Sequence, residues 1–263
     1  MFLKTKKSLG QNFLINEQIL KLIVELGEIN NDDEILEIGP GSGNLTAKIV
    51  EKKPKKITII EKDTNLAKIL HKKFGSNVNI LNQDILKFSY DEYNQKKIII
   101  FGNLPYNIST QILVSWIRIH NLNQYCKKFI LLFQKEVADR IISTHNKSSF
   151  GRLSILASWK MNIKKIIDIK PSNFNPSPKV DSTLLVLTPK EEVFPIEKCK
   201  NLEHITNVFF NQRRKMIKKP LKILFDDYNS ISKKLKLDIS LRPQNLSTKT
   251  YFKICELYES LLK

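Results

Sequence analysis

The stretch EILEIGPGSGNLT, residues 34–46, contains the pattern that decides the fold. EILEI predicts a short buried strand, the glycines at 39, 41 and 43 predict a turn, and the residues that follow predict a helix. Glycines let the backbone approach a ligand closely at the carboxyl end of the first strand of an α/β sheet. The dinucleotide fingerprint G-x-G-x-x-G is not met, because Asn44 occupies its last position. We therefore expect a smaller, non-phosphate cofactor rather than NAD.

Short aliphatic segments alternate with helical patterns through the first 150 residues. KKITIIEKD, NVNILNQDIL, KKIIIFGNLPY and KKFILLFQ predict further strands, and EQILKLIVELG, NLAKILHKKFG and TQILVSWIRIH predict helices, the first with Gly27 as its C-cap. This alternation predicts a parallel, doubly wound, Rossmann-like α/β sheet. We also predict strands in GRLSILASWK (151–160) and KKIIDIK (164–170).

The pattern changes in the last quarter of the chain. From about residue 190 the apolar spacing is helical to the end, as in LEHITNVFFNQRRKMIKKPLKILF and TYFKICELYESLLK. We therefore predict a catalytic domain over residues 1–189 and a smaller all-helical domain over residues 190–263.

Polar residues follow the apolar part of three more predicted strands. Glu61 directly follows ITII, and a carboxylate at that strand end can accept both hydroxyls of a ribose; Asp63 is a rival for this role. Asp84 follows the next strand and can accept a hydrogen bond from an adenine amine. Asn103 and Tyr106 lie where the strand in KKIIIFGNLPY is ended by a proline. Each residue alone also fits a helix cap or a turn, but four such strand ends in order indicate a binding crevice.

The charge balance favours a polyanionic partner. The chain has 44 Lys+Arg against 26 Asp+Glu, a formal net charge of +18 and a pI of about 9.7, which favours nucleic acid. The composition is also rich in Lys, Asn and Ile, so many of these lysines are equally explained as solvated surface residues.

Cysteines and histidines are few and scattered. The chain has three cysteines without a CxxC pair and four histidines far apart, so we expect reduced thiols and no metal site. The N-terminus lacks the apolar core of a secretory signal, and no apolar run of about 18 residues predicts a membrane helix. We therefore expect a cytoplasmic protein with no membrane partner.

Eight motifs in order give the chain a specific resemblance to a known family. They are KKSLGQNFL (6–14), EIGPGSGNLT (37–46), IIEKD (59–63), QDIL (83–86), FGNLPYNIST (101–110), FGRLSIL (150–156), FNPSPKVDS (174–182) and FNQRRKMIKKPL (210–221). With them the chain resembles, over nearly its whole length, the S-adenosylmethionine-dependent rRNA adenine N6-dimethyltransferases, most closely the KsgA-type small-subunit branch. The family motif often has two prolines before its aromatic residue. Leu104 takes the first of those places here, as is usual in the rRNA branch.

The resemblance implies that S-adenosyl-L-methionine is the cofactor. Glu61 would hold its ribose hydroxyls and Asp84 its adenine amine, and the turn at Gly39 would pass under its methionine part. The implied cofactor-binding residues are Asn12, Leu14, Gly39, Gly41, Glu61, Asp84 and Asn103.

The resemblance also implies how a target adenine is held. Asn103 would lie where cofactor and base meet, and Tyr106 and Phe174 would stack on the base. An amide oxygen is a hydrogen-bond acceptor and not a base at neutral pH, so Asn103 and the Leu104 carbonyl are expected to accept the two N6–H groups. On pattern alone, Phe174 also fits a core aromatic before a turn.

Basic residues provide candidates for phosphate contacts. A cluster predicted to lie on one helix after FFNQ, and the loop residue Lys179, would bind RNA phosphates, although solvated side chains explain them as well. The cluster is Arg213, Arg214, Lys215, Lys218 and Lys219, and Lys4, Lys6 and Lys7 form a second, N-terminal candidate.

The implied activity is dimethylation of N6 on two adjacent adenosines in a hairpin loop near the 3′ end of 16S rRNA. We expect a monomer that acts on an immature 30S particle. Alternatives are methylation of 23S rRNA, a catalytically silent RNA-binding assembly factor, and a small-molecule methyltransferase. The intact Asn103–Tyr106 motif argues against the silent factor, and the basic C-terminal domain argues against a small substrate. Target choice depends on RNA shape, which one sequence does not display.

Overall fold

The computed structural model describes residues 11–93 and 96–262 and divides the chain into two compact units. The first unit comprises residues 1–138 and 162–189, and the second comprises residues 139–161 and 190–263. The last segment of the first unit ends at Pro189, and residues 190–263 belong to the second. The structure differs from a contiguous first domain in one respect, because Asp139–Met161 belongs to the second unit.

The first unit is an α/β unit whose helices and strands alternate along the chain. Its elements are β1 (Phe13–Leu14), α1 (Glu17–Gly27), β2 (Glu34–Ile38), α2 (Asn44–Val50), β3 (Lys56–Ile60), α3 (Thr64–Phe74), β4 (Asn79–Leu81), β5 (Ile98–Asn103), α4 (Ser109–Ile117), α5 (Leu122–Tyr125), β6 (Cys126–Gln134), α6 (Lys135–Ile141), and, after α7 (Arg152–Lys160) of the second unit, β7 (Met161–Ile169), β8 (Phe174–Asn175) and β9 (Ser182–Pro189).

Seven strands form the main sheet in the order β4-β3-β2-β5-β6-β9-β7. The first five of these are parallel, and β9 pairs antiparallel with β6. The chain runs outward from β2 to β4 and then returns to β5 on the other side of β2. This reversal is a topological switch point, and ligands of such sheets bind outside the carboxyl ends of the strands there. The predicted doubly wound α/β fold is confirmed.

The apolar runs read from the sequence are explained by burial on both faces of the sheet. Ile98, Ile99, Ile100 and Phe101 of β5 are all at most 1% exposed. A strand covered by helices on both sides has no solvent face, so it reads as a continuous apolar run instead of an alternating one.

The first helix corrects one detail of the sequence analysis. Asn16 caps α1 by accepting hydrogen bonds from the amides of Gln18 and Ile19, but Gly27 is its last helical residue and not its C-cap. The left-handed cap residue is Glu28, with φ of 50°. Packing explains why residue 27 is a glycine, because a Cβ at this position would lie 2.6 Å from the ring of Phe101.

The second unit is helical. Its elements are α7, α8 (Cys199–Phe210), α9 (Lys218–Leu224), α10 (Tyr228–Lys234) and α11 (Thr248–Leu261). Buried Glu259 of α11 accepts hydrogen bonds from the amides of Glu197 and Lys198 and from the side chain of Asn201, and so fixes the entry to α8.

The strand predicted in GRLSILASWK is wrong, because this segment forms helix α7. Seven of its nine residues are buried, so the segment lacks the polar face that would have revealed a helical period. A short apolar run of this kind does not distinguish a buried helix from a strand. Helix α7 packs against α8 and α11, which is why Asp139–Met161 groups with the helical unit.

Within the residues that the structure describes, no helix is long and apolar enough to cross a membrane.

Candidate active site

A cleft lies at the carboxyl ends of β2, β3, β4 and β5, where the sheet topology places a ligand site. Its empty space is about 870 Å³, part of it open solvent, which is within the range of small-molecule sites. The lining residues come from the start of β1 and the segment before it, from the four strand ends and the loops that follow them, and from α3: Gln11, Asn12, Phe13, Ile38, Gly39, Gly41, Ile60, Glu61, Lys62, Leu66, Gln83, Asp84, Ile85, Asn103, Leu104, Pro105, Tyr106, Asn107 and Ile108.

The glycine turn after β2 forms the floor of one side of the cleft. Gly39, Gly41 and Gly43 all have positive φ, between 57° and 73°, a region that residues with a Cβ rarely adopt. A Cβ on Gly41 would lie 2.5 Å from the ring of Phe13, so β1 packs directly on the turn. From the other side, Lys73 of α3 donates hydrogen bonds to the Ser42 and Gly43 carbonyls at 3.1 and 3.3 Å.

Glu61 presents a buried carboxylate at the end of β3. It is 7% exposed, and its oxygens accept hydrogen bonds from the amides of Asp63, at 2.8 Å, and Gly41, at 3.4 Å. Burial raises the pKa of this carboxyl, and the two backbone amides oppose that rise. The rival Asp63 caps α3 instead, by accepting a hydrogen bond from the Asn65 amide. Of the two carboxylates, only Glu61 lines the cleft.

Asp84 lines the cleft at the end of β4 with both oxygens in hydrogen bonds. One accepts from the Leu86 amide at 3.0 Å, and the other pairs with the ammonium of Lys62 at 2.8 Å. The hydrogen bond from Lys62 is the main reason why the pKa of Asp84 is lowered, so this group is an ionised acceptor at neutral pH. An ionised carboxylate has about four acceptor sites, so Asp84 can still accept a hydrogen bond from a donor such as an aromatic amine.

Asn103 ends β5 with its side chain in a defined orientation. Its Nδ2 donates a 2.7 Å hydrogen bond to the backbone carbonyl of Asn12. A carbonyl only accepts, so this bond assigns the amide nitrogen to Asn12 and leaves Oδ1 as an acceptor toward other groups. The residue lines the cleft beside Gly39, and Asn12 lines it as well.

Tyr106 lies in the turn between β5 and α4. Its hydroxyl is 2.6 Å from the hydroxyl of Ser182, the first residue of β9. The ring is half-buried and lines the cleft, and burial raises the pKa of the phenol although the Ser182 hydrogen bond lowers it. The phenol is therefore protonated at neutral pH.

Two predicted site residues lie away from the cleft. Phe174 is 3% exposed, belongs to the hydrophobic core and pairs with Leu14 in the small β1–β8 ladder. Leu14 is 6% exposed and lines a smaller adjoining cavity, while its carbonyl accepts a hydrogen bond from Asn44 at 2.9 Å. Stacking of Phe174 on a base therefore remains a prediction, and it requires the buried ring to become accessible.

The residues present fit S-adenosylmethionine. The glycine turn has no side chain where a Cβ would obstruct close approach, Glu61 and Asp84 supply acceptors for hydroxyl and amine groups, and Leu66 and Ile85 supply apolar wall. This set matches a nucleoside with an amino-acid part and no phosphate. Across residues 11–93 and 96–262, no group of three or more His, Cys, Asp or Glu side chains could hold a metal ion.

Comparison with known proteins identifies the family of this chain. The family model described as "Ribosomal RNA adenine dimethylase" matches residues 2–260. The chain belongs to the ribosomal RNA adenine dimethylase family. The "Ribosomal RNA small subunit methyltransferase A" of Pelagibacter ubique is 55% identical over 99% of both chains, and that of a Wolbachia species from Drosophila simulans is 35% identical over 98% of this chain and 95% of its own. The predicted family is confirmed.

Solved structures agree with this assignment at the level of the fold. A dimethyladenosine transferase from Plasmodium falciparum superposes with a TM-score of 0.79 at 25% identity, covering 94% of this chain and 98% of its own. The 23S rRNA methyltransferase ErmE, at 22% identity and a TM-score of 0.70 over 96% of this chain and 100% of its own, shares the fold. The residues matched by these two structures therefore include parts of both units.

In this rRNA adenine dimethylase, the basic cluster is not on one helix as the sequence suggested. Helix α8 ends at Phe210 and α9 begins at Lys218, so Arg213, Arg214 and Lys215 lie in the turn between them. Pro220 is the third residue of α9, and because proline is tolerated only in the first turn of a helix, it rules out a single helix running from α8 through this position.

The members of this cluster differ in what they contact. The Arg213 guanidinium donates a hydrogen bond to the Ser148 carbonyl, whereas Arg214 and Lys215 are exposed. Lys179 is exposed in the loop before β9. Lys4, Lys6 and Lys7 lie outside the described residues. Phosphate contacts by this dimethylase remain predictions.

Sequence reasoning missed Lys62, which lines the dimethylase cleft, and Ser182, which is buried and contacts the cleft residue Tyr106. Lys62 is in the motif IIEKD between two carboxylates, and its position after a strand end was the available signal. Ser182 closes the motif FNPSPKVDS, but no spacing rule connects it with Tyr106, 76 residues earlier. Their pairing follows from the adjacency of β5, β6 and β9 in the sheet.

Proposed function

We propose that this rRNA adenine dimethylase transfers methyl groups from S-adenosylmethionine to N6 of two adjacent adenosines in small-subunit rRNA, in a hairpin loop near the 3′ end. The observation that carries the proposal is the orientation of Asn103. Its amide nitrogen is held by the Asn12 carbonyl, so its oxygen is the group offered to an amine in the cleft. The names of the curated relatives support the small subunit over the large subunit as the source of the RNA.

Cofactor binding is assigned to the residues that line the cleft. Glu61 accepts from the ribose hydroxyls, Asp84 accepts from the adenine amine, and Gly39 and Gly41 allow the backbone to approach the amino-acid part. Asn12 contributes through its carbonyl, which orients Asn103. When bound, S-adenosylmethionine supplies a methyl group on a sulfonium that is already activated, so the protein need not provide a covalent nucleophile.

The protein's contribution to the reaction is orientation of a poor nucleophile. The N6 lone pair of adenine is delocalised into the ring, and acceptors on both N6–H groups localise it. We assign these two acceptor roles to Asn103 Oδ1 and the Leu104 carbonyl, because the two residues are adjacent at the end of β5 and both line the cleft. Neither takes the proton, since an amide is not a base at neutral pH. N6 loses this proton to solvent after methyl transfer, when the methylated nitrogen has become acidic. Fixing nucleophile and methyl group in one geometry lowers the barrier mainly through orientation.

The base reaches the cleft by leaving its stack in the RNA, which costs a few kcal/mol. Stacking on an aromatic ring returns about 1–3 kcal/mol per base. Two aromatic residues, Phe13 and Tyr106, line the cleft. Tyr106 is assigned to the base, and Phe174 joins it only if the segment that holds this buried ring moves. Exposed Arg214, Lys215 and Lys179 are assigned to RNA phosphates, while Arg213 first anchors its own turn.

The experiment that tests this function uses labelled S-adenosylmethionine with immature 30S and 50S particles and with free rRNA. Recovery of labelled N6,N6-dimethyladenosine from small-subunit RNA is the expected result. Label only in 23S rRNA would contradict the target, and binding without transfer would favour a silent assembly factor. We further propose that the enzyme acts as a cytoplasmic monomer on an immature particle. Sedimentation of the enzyme with and without particles tests both the monomer and its partner.

A further inference from the structure

A buried hydroxyl lies at the phenol end of the Tyr106 side chain. Ser182 is 0% exposed, and its Oγ is 2.6 Å from the hydroxyl of Tyr106. We propose that Ser182 is a positioning residue, which fixes the Tyr106 ring against the target base without touching the cofactor. This inference rests on the proposed function, because it assigns a base-stacking role to Tyr106.

The backbone of Ser182 is fixed by the sheet. Ser182 opens β9 and pairs with Gln134 of β6, and the carbonyl of the preceding Asp181 accepts a 2.9 Å hydrogen bond from the Lys135 amide. Tyr106, in contrast, lies in a turn. A residue on a paired strand is held more precisely than one in a turn. The hydrogen bond to Ser182 therefore restricts the orientation of the Tyr106 ring.

The opposite face of β9 is tethered as well. Thr183, the next residue, donates a 2.6 Å hydrogen bond to Asp168 of β7, and Asp168 pairs with Lys135 and Lys165 at 2.9 Å each. Successive side chains of a strand point to opposite faces, so Ser182 and Thr183 anchor the same segment from two sides. Only the Ser182 anchor reaches the cleft, which makes Thr183 a natural control.

The backbone of Tyr106 has its own anchor in the Ser109 hydroxyl, which donates to its carbonyl at 3.2 Å. Loss of the Ser182 bond would therefore leave the backbone of Tyr106 in place and free the ring to rotate. A free ring must be ordered when the base enters. The rate of transfer to RNA should fall for that reason. Cofactor affinity should stay unchanged, because loss of this hydrogen bond leaves the aromatic ring in the cleft.

The test compares Ser182→Ala, Tyr106→Phe, the double variant and Thr183→Val in single-turnover transfer to small-subunit RNA. Cofactor Kd by calorimetry and the thermal melting temperature are measured for each. Removing one hydrogen bond is expected to slow transfer about five- to tenfold in Ser182→Ala and in Tyr106→Phe, with cofactor Kd unchanged. The double variant should be no slower than the slower single one, because both changes remove the same bond. Thr183→Val should keep the wild-type rate.

Three results would overturn the inference: a wild-type rate for Ser182→Ala, a loss in the double variant equal to the product of the single losses, or equal slowing by Thr183→Val. If Ser182→Ala does not fold, Tyr106→Phe removes the bond from the half-buried side, and a wild-type rate for it overturns the inference alone. Failure of the wild-type enzyme to form dimethyladenosine would overturn the proposed function, and the inference with it.

Discussion

The buried carboxyl of Glu37 should make the stability of the protein fall as pH rises through neutrality. Glu37 is 1% exposed in β2 directly before the glycine turn, and Thr46 donates a 2.6 Å hydrogen bond to it. Burial raises its pKa from 4.5 to about 7; nearby Glu61 adds to the rise, and the Thr46 hydrogen bond and Lys73 oppose it. The folded state therefore holds a proton that the unfolded state has already lost over this interval.

The sign and the size of the effect follow from proton linkage. Where the folded state binds more protons, the free energy of unfolding decreases with rising pH. The rise in the pKa of Glu37 from 4.5 to about 7 corresponds to a loss of ~3 kcal/mol in the free energy of unfolding. Of this loss, ~2.5 kcal/mol occurs between about pH 5 and about pH 8. This is a large share of the ~5–15 kcal/mol by which native proteins are stable.

The assay is urea unfolding of the wild type and of Glu37→Gln at several pH values. Glutamine keeps an acceptor for Thr46 but cannot ionise, so the difference in unfolding free energy should shift in favour of Glu37→Gln by ~2–3 kcal/mol from about pH 5 to about pH 8. Glu25→Gln, at an exposed position of α1, is the control and should follow the wild type. A pH dependence of Glu37→Gln that is identical to that of the wild type would refute the reasoning.

Three further predictions concern binding and transfer. Asn103→Ala should abolish methyl transfer while RNA binding survives in a gel-shift assay; equal loss of both would mean that Asn103 is structural. Gly41→Ala should weaken cofactor binding tenfold or more by calorimetry, since its Cβ would lie 2.5 Å from Phe13 at a φ of +57°, a strain of about 1–2 kcal/mol before the clash is counted. Arg214→Glu with Lys215→Glu should make the dependence of log K for RNA binding on log salt concentration less steep, by about 1.4 for two single-strand phosphate contacts. An unchanged slope would leave both residues as solvated side chains.

The fold could be predicted largely because its determinants are local. The strand–glycine turn–helix pattern around Gly39 predicts its own structure, and the apolar runs of β2, β3 and β5 are rich in the β-branched isoleucine, which favours strands. Prediction failed where burial removed the periodic signal, as in α7, and where one residue changed a local outcome, as Pro220 does between α8 and α9. The association of Asp139–Met161 with the helical unit depends on packing between segments that are distant in sequence. The spacing of apolar residues along the chain does not predict such packing.

The ends of parallel strands meet at one edge of the sheet, and this rule alone brings Gly39, Glu61, Asp84 and Asn103 to one cleft. The rule does not apply to the motif FNPSPKVDS, because β9, which begins at its last residue, is antiparallel to β6. There the aromatic residue was the obvious candidate for chemistry, yet its pairing with β1 turns Phe174 into the core.

Eight residues later in the same motif, Ser182 reaches the cleft through the Tyr106 hydroxyl. The side-chain types in this motif suggested that Phe174 would contact the target base. The direction of β9 instead brings Ser182 to Tyr106, the residue assigned to that base. The same reasoning ranks the two residues for mutagenesis. If base recognition depends on the cleft as it stands, Ser182→Ala should slow transfer without changing stability more than Thr183→Val does, whereas Phe174→Ala should act first on stability, by about 3–5 kcal/mol for a buried phenylalanine.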